Sequence, residues 1–296
     1  MKRVLVTGAS GFIGSRVIAS LAQRGFEVHA AARRPGRAGQ KWRWHAADLL
    51  DDTDRLSLIQ RVRPSHLLHL AWYAEHGRFW QAPENVSWVA ATVKLAHDFA
   101  AAGGRRAVFA GTCAEYDWTG SGLCSERETP LRPATPYGVC KDAARRVVEQ
   151  VDCDVAWGRL FFLYGPREHP DRLVAAVARL LVDGRRAPTS EGSQRRDFLH
   201  VDDVAGAFAT LVQSGVTGPV NIGSGEAVPV RRIIELIADA AGRPDLLDIG
   251  ALQRRSTDPD ELVADIARLR DEVGWTPGTG LEEGLERTVA WWREQL

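Results

Sequence analysis

Thr7-Gly8-Ala9-Ser10-Gly11-Phe12-Ile13-Gly14 is the stretch that decides the fold. It follows the short apolar run Val4-Leu5-Val6 and leads into residues 12–23, whose apolar side chains recur at helical spacing. A strand, a glycine turn and a helix, in that order, open a nucleotide-binding βαβ unit. Glycines let the backbone come close to a pyrophosphate, and the helix amino terminus offers free N–H groups and a partial positive charge. Gly8, Ser10, Gly11, Phe12, Ile13 and Gly14 are therefore candidate cofactor-binding residues, and a bulky side chain at Gly8 or Gly11 is expected to block the approach.

A second stretch, Tyr137-Gly138-Val139-Cys140-Lys141, carries chemistry. Thr135 reads as a helix N-cap and Pro136 as the first helical residue, which predicts a helix over 134–150 with Tyr137 and Lys141 on one face. Lys141 is then expected to favour the phenolate and depress the Tyr137 pKa from its usual value of about 10. Thr112 ends the apolar run 107–111, so its hydroxyl is expected at the carboxyl edge of a parallel sheet, where such folds bind ligands. Thr112, Tyr137 and Lys141 are the candidate catalytic set for proton transfer at a carbinol carbon.

Around these stretches, strands near 3–7, 27–32, 67–71, 107–112 and 154–160 alternate with helices near 12–24, 53–62, 84–102 and 135–150. That alternation predicts an α/β fold with a Rossmann-type doubly wound parallel sheet. The 38 basic and 38 acidic residues cancel, which advertises neither nucleic acid nor an anionic membrane. No run approaches the roughly 20 apolar residues of a membrane span, and no secretory h-region opens the chain, so the expectation is a cytoplasmic protein. Cys113, Cys124, Cys140 and Cys153 lack Cys-x-x-Cys spacing and read as reduced thiols. His66 and His69 flank Leu67-Leu68 as strand-edge residues, and no metal site is expected.

On these and further landmarks the chain resembles the extended short-chain dehydrogenase/reductase family, in its NAD(P)-dependent nucleotide-sugar epimerase, dehydratase and reductase branch. The further landmarks are Ala47-Asp48-Leu49, His69-Leu70-Ala71, Asn85, Tyr164-Gly165-Pro166-Arg167, Arg196-Asp197-Phe198, Asn221-Ile222-Gly223-Ser224-Gly225 and Gly274-Trp275-Thr276-Pro277. The resemblance implies an NAD(P)-binding domain of residues 1–165 and 199–222, and a smaller carboxyl-terminal α/β substrate lobe of 166–198 and 223–296. It adds Asp48, Leu49, Leu70, Ala71, Trp72 and Asn85 to the cofactor site. His76, Cys113, Ala114, Arg196 and Arg255 become candidate substrate contacts, with Arg196 and Arg255 on a diphosphate. Trp72–His76 and Tyr116-Asp117-Trp118 are expected to face the sugar. Many family members carry asparagine where this chain has Phe162. A homodimer follows by analogy, through the helix that carries Trp88.

The second strand runs Val28-His29-Ala30-Ala31-Ala32-Arg33-Arg34, with no carboxylate before Asp48. NAD enzymes usually place an acidic residue at that strand end to hold the ribose 2′-hydroxyl, whereas arginine suits a 2′-phosphate. NADP(H) is therefore favoured over NAD(H), with Arg33 the first contact and Arg34 the second. The family's 4,6-dehydratases place Asp-Glu directly after the catalytic threonine; here Cys113 and Ala114 stand there, and Glu115 comes one position late. The expected function is NADPH-dependent reduction of a nucleotide-activated 4-keto-6-deoxyhexose, the small-molecule partner. The alternatives are an NAD(P)-dependent nucleotide-sugar 4-epimerase and a non-catalytic dinucleotide-binding protein.

Overall fold

The computed structural model describes residues 2–36, 42–120, 122–254 and 258–295. Its strands are β1 (Arg3–Thr7), β2 (Glu27–Ala32), β3 (Arg43–Ala46), β4 (His66–His69), β5 (Arg106–Thr112), β6 (Gly122–Cys124), β7 (Asp154–Leu160), β8 (Phe162–Tyr164), β9 (Ala187–Thr189), β10 (Arg195–Arg196), β11 (Phe198–His200), β12 (Gly218–Ile222), β13 (Val228–Pro229), β14 (Leu247–Ile249) and β15 (Glu261–Ala264). The α-helices are α1 (Gly14–Gln23), α2 (Asp52–Val62), α3 (Glu84–Ala101), α4 (Pro136–Val148), α5 (Leu173–Val182), α6 (Val201–Gln213), α7 (Val230–Ala241) and α8 (Leu281–Gln295).

Seven parallel strands form the main sheet in the order β12-β7-β5-β4-β1-β2-β3. The order reverses beside β1, between β2 and β4, and the glycine turn follows β1 at that switch point. Strand β3 is absent from the sequence expectation, because Arg43-Trp44-His45-Ala46 is a four-residue edge strand without a buried face.

The helices cover both faces. On α1 the buried residues are Gly14, Val17, Ile18 and Leu21, the spacing of one helical face, and they join α6 in one core under the sheet. Arg16 pairs with Asp202 at 2.9 Å, and Arg24 donates to Thr210 Oγ1 at 2.9 Å, which fastens α1 to α6. On the other face Leu58, Ile59 and Val62 of α2 meet Leu95, Ala96 and Phe99 of α3 and Ala144 and Val148 of α4. Helix α4 starts as its sequence predicts, with Pro136 in the first turn and Thr135 Oγ1 accepting from Gly138 N at 3.2 Å.

Beyond β8 the chain builds smaller units. Strands β13, β10, β15 and β6 make a four-stranded sheet, and α5, α7 and α8 pack around a third core that includes Val174, Ile233, Ile237 and Leu285. One piece departs from the expected boundaries. Gly122–Cys124 lies in the range assigned to the cofactor domain yet pairs with β15 of the small sheet. Among the described residues, no helix is long and apolar enough to cross a membrane, and no group of three His, Cys, Asp or Glu side chains could hold a metal.

Candidate active site

A cleft of about 1520 Å³ runs along the carboxyl ends of β1, β2, β4 and β5 and continues to the small sheet and α5. Its floor at one end is the glycine turn. Gly8 has φ +66°, and a Cβ there would lie 2.8 Å from Ala71 N. A Cβ on Gly14 would lie 2.2 Å from Gly8 O, so glycine there lets α1 pack on the turn. Helix α1 begins without a side-chain cap, which leaves amino-terminal amides for an anion. Ser10, Gly11, Phe12 and Ile13 complete this wall. Bare backbone, a free helix start and a long cleft fit a dinucleotide.

Leu49, Leu70, Ala71 and Trp72 line the same cleft, as does Asp48, whose Oδ1 accepts from Leu50 N at 3.0 Å. Ala31 and Ala32 close β2, and Arg33 and Arg34 are exposed at the mouth. Asn85 is not on the wall. It is fully buried, donates to Phe79 O at 2.7 Å and Ala82 O at 2.9 Å, and accepts from Trp72 Nε1 at 2.8 Å. Instead of touching a cofactor, it ties the loop after β4 to the start of α3.

Thr112, Tyr137 and Lys141 meet at the middle of the cleft. Tyr137 stands among aromatic edges, its ring centroid 4.9 Å from Phe79, 5.6 Å from Trp80 and 6.5 Å from Trp72. Burial pushes its phenol above the ordinary value, opposed by the nearby Thr112 hydroxyl. The sequence expectation of a depressed phenol pKa is thus reversed here. Lys141 is occupied elsewhere, donating to Ala110 O at 2.8 Å with its Nζ 3.8 Å from the Trp72 ring centroid. Burial pulls Lys141 itself down to about 7, against the field of Glu115.

The turn after Thr112 is rigid. Glu115 is fully buried and accepts from Thr112 N at 2.8 Å, Trp157 Nε1 at 2.9 Å and Arg159 Nε at 2.8 Å. Glycine at 138 brings α4 directly onto this turn, since a Cβ there would lie 2.3 Å from Ala114 O. Ala114 is buried and absent from the cleft wall, so it is not placed to touch a substrate. Cys113 does line the cleft, and burial raises its thiol far above the usual range, leaving it a neutral packing group.

At the far end, His76 and Arg196 line the wall. Arg196 is 3% exposed and committed inside the protein, donating to Arg195 O at 2.8 Å, to Pro259 O at 2.7 Å and to the Asp258 carboxylate. Its guanidinium also faces the Phe162 ring at 5.6 Å. Arg255 lies outside the described residues. Trp118 lines the cleft as expected, whereas Tyr116 is buried with its hydroxyl on Asn221 Oδ1 at 2.7 Å, and Asp117 is off the wall, holding Thr119. Sequence reasoning missed Phe79, Trp80, Glu168, His169, Arg172 and Asp258. The first two sit in a loop whose aromatic content was visible, while the others needed the fold to bring them in.

A family model described as the NAD dependent epimerase/dehydratase family matches residues 4–223. The UDP-glucose 4-epimerase of Mycolicibacterium smegmatis is 30% identical over 99% of this chain and 99% of its own. The dTDP-glucose 4,6-dehydratase of Streptomyces griseus is 28% identical over 98% of this chain and 94% of its own. Among solved structures, the Thermus thermophilus UDP-glucose 4-epimerase in complex with NAD superposes with a TM-score of 0.87 at 28% identity, covering 99% of this chain and 100% of that one. MoeE5 in complex with UDP-glucose and NAD gives 0.84 at 32% identity, covering 99% of each chain.

Proposed function

The chain belongs to the NAD dependent epimerase/dehydratase family of oxidoreductase-type enzymes, and from that premise we propose that it is a nucleotide-sugar 4-epimerase. One observation carries this reading: Thr112, Tyr137 and Lys141 line one dinucleotide-sized cleft together with the glycine turn, in a chain similar over 99% of its length to a UDP-glucose 4-epimerase. The reductase expected from the sequence uses the same three side chains. It rested on an NADP preference that the comparisons do not carry, since the solved relatives at 28% and 32% identity hold NAD. Dehydration fits poorly, because the first carboxylate after Thr112 is Glu115, whose oxygens are spent on Thr112, Trp157 and Arg159.

In this reading residues 1–165 and 199–222 hold the cofactor, and the lobe of 166–198 and 223–296, joined by β6, holds the nucleotide sugar. When bound, the nicotinamide supplies reversible hydride exchange at the sugar carbinol carbon. Tyr137, its own phenolic proton first given up to solvent, takes the proton from that hydroxyl as phenolate and returns it as phenol, with Thr112 holding the oxygen in register. Lys141, near neutrality and pressed on Trp72, is the neighbouring reservoir of charge that steadies a transient phenolate. The cleft's aromatic edges keep water from the exposed carbonyl stage.

NAD is the resident cofactor in this proposal. Arg33 and Arg34, with no carboxylate at the end of β2, favour NADP as a second reading. A homodimer through α3, where Val86 is 67% exposed, belongs to the proposal as well.

The test is purified protein, its bound cofactor identified by mass, assayed with UDP-glucose and, separately, with NADPH and dTDP-4-keto-6-deoxyglucose. Interconversion of UDP-glucose and UDP-galactose without added cofactor supports the proposal. Steady NADPH consumption with the keto sugar, and none of that interconversion, returns the protein to the reductase class.

A further inference from the structure

Glu168 and His76 are two polar side chains that the scheme above leaves without a task. Glu168 is 5% exposed and lines the cleft, and its Oε2 has no hydrogen-bond partner among the described residues. Its other oxygen lies 4.0 Å from Arg172 Nε, just before the start of α5. His76 lines the same cleft, stacks on His169 with centroids 5.2 Å apart, and has Nδ1 buried and unpartnered.

A buried polar atom without a partner costs free energy, more so for an acid, and native structures keep one where a ligand completes it. The two residues that carry these atoms line one cleft, from the loop after β4 and the loop after β8. Three residues beyond His76, the Phe79 ring packs on the Tyr137 ring at 4.9 Å, which links this pair to the reaction centre. The Arg172 charge is also felt at the Tyr137 phenol.

We propose that Glu168 and His76 form the subsite that reads the hexose ring by hydrogen-bonding its neutral hydroxyls. The inference rests on the nucleotide-sugar reading above. A hydroxyl both donates and accepts, so one hydroxyl, or a neighbouring pair, satisfies an acid oxygen and an imidazole nitrogen together. Burial pushes the Glu168 carboxyl up to about 8, so at neutral pH it presents a neutral acid to the cleft.

The experiment compares the cofactor-loaded wild type with Glu168→Gln and Glu168→Leu, measuring kcat and KM for UDP-glucose, bound cofactor and Tm. Glu168→Leu raises the KM for UDP-glucose by about tenfold with kcat within about threefold, and Glu168→Gln keeps most UDP-glucose affinity. Both variants retain bound cofactor. Equal KM values for wild type and Glu168→Leu, with only Tm lowered, reduce Glu168 to an anchor for α5 and overturn the inference while the epimerase reading stands. A wild type that does not turn over UDP-glucose sinks both.

Discussion

Replacing Glu115 by glutamine tests whether the turn that carries Thr112 is held by a buried charge pair. Glu115 is 0% exposed and Arg159 is 1% exposed, with Nε to Oε2 at 2.8 Å, and the other carboxylate oxygen accepts from Thr112 N and Trp157 Nε1. Arg159 has a further contact in the Tyr116 hydroxyl at 3.0 Å, which is neutral and cannot balance its charge. Glutamine keeps one acceptor oxygen and points an NH₂ at donors, so at least one of the three N–H groups loses its partner. Breaking one side of a buried pair costs about 3–5 kcal/mol, a large part of the roughly 5–15 kcal/mol that holds a native protein together. For a chain of this size the matching fall in Tm is about 10 °C. Urea titration of wild type, Glu115→Gln, Arg159→Met and the double variant closes the cycle. The double variant recovers most of the loss, because no unpaired charge stays buried. A single-variant cost below about 1 kcal/mol, or a double variant as unstable as Glu115→Gln, refutes the account.

Tyr137→Phe is expected to remove most turnover while leaving cofactor binding intact, checked by assay and by mass of the bound cofactor; full activity sinks the proton-transfer role. Gly14→Ala drives a Cβ into Gly8 O, backbone against backbone, and should yield protein without bound cofactor or no folded protein. In acid, His66 and His69 stay neutral when folded, with burial lowering them to about 4 and about 3. The unfolded chain takes up those protons from about pH 6.5 downward, so by pH 5 each histidine removes about 2 kcal/mol of stability. Glu168, raised when folded, works the other way as pH falls from 8, so the loss in acid should steepen in Glu168→Gln. Urea midpoints at pH 5, 6 and 7 check both statements, and identical slopes for wild type and variant would falsify the second.

What the sequence revealed follows the range of the interactions involved. The glycine turn, the alternation of strand and helix, and the capped start of α4 are set by neighbours within a few residues, and they stand where the pattern puts them. The small sheet could not be read that way. Arg195–Arg196 and Val228–Pro229 are two-residue strands that exist only because distant partners supply hydrogen bonds. Asn85 shows the limit of motif reading, since the residue is in its expected place but its amide is used by Phe79, Ala82 and Trp72. Arg196 is similar: its type suits a phosphate, yet nothing local announces Asp258 as its partner. The direction of the Tyr137 shift was hidden because it depends on Phe79 and Trp80 closing over the ring, a matter of loop path.

The contact between Gly138 and Ala114 O has an evolutionary side. Because main chain rests on main chain there, the spacing between the Thr112 and Tyr137 hydroxyls is set without an intervening side chain that mutation could resize. Drift in the loops at 72–80 and 165–172 can then try new sugars while the two hydroxyls keep their distance. A lineage built this way changes what it recognises in small steps, and each intermediate along the way remains a working catalyst.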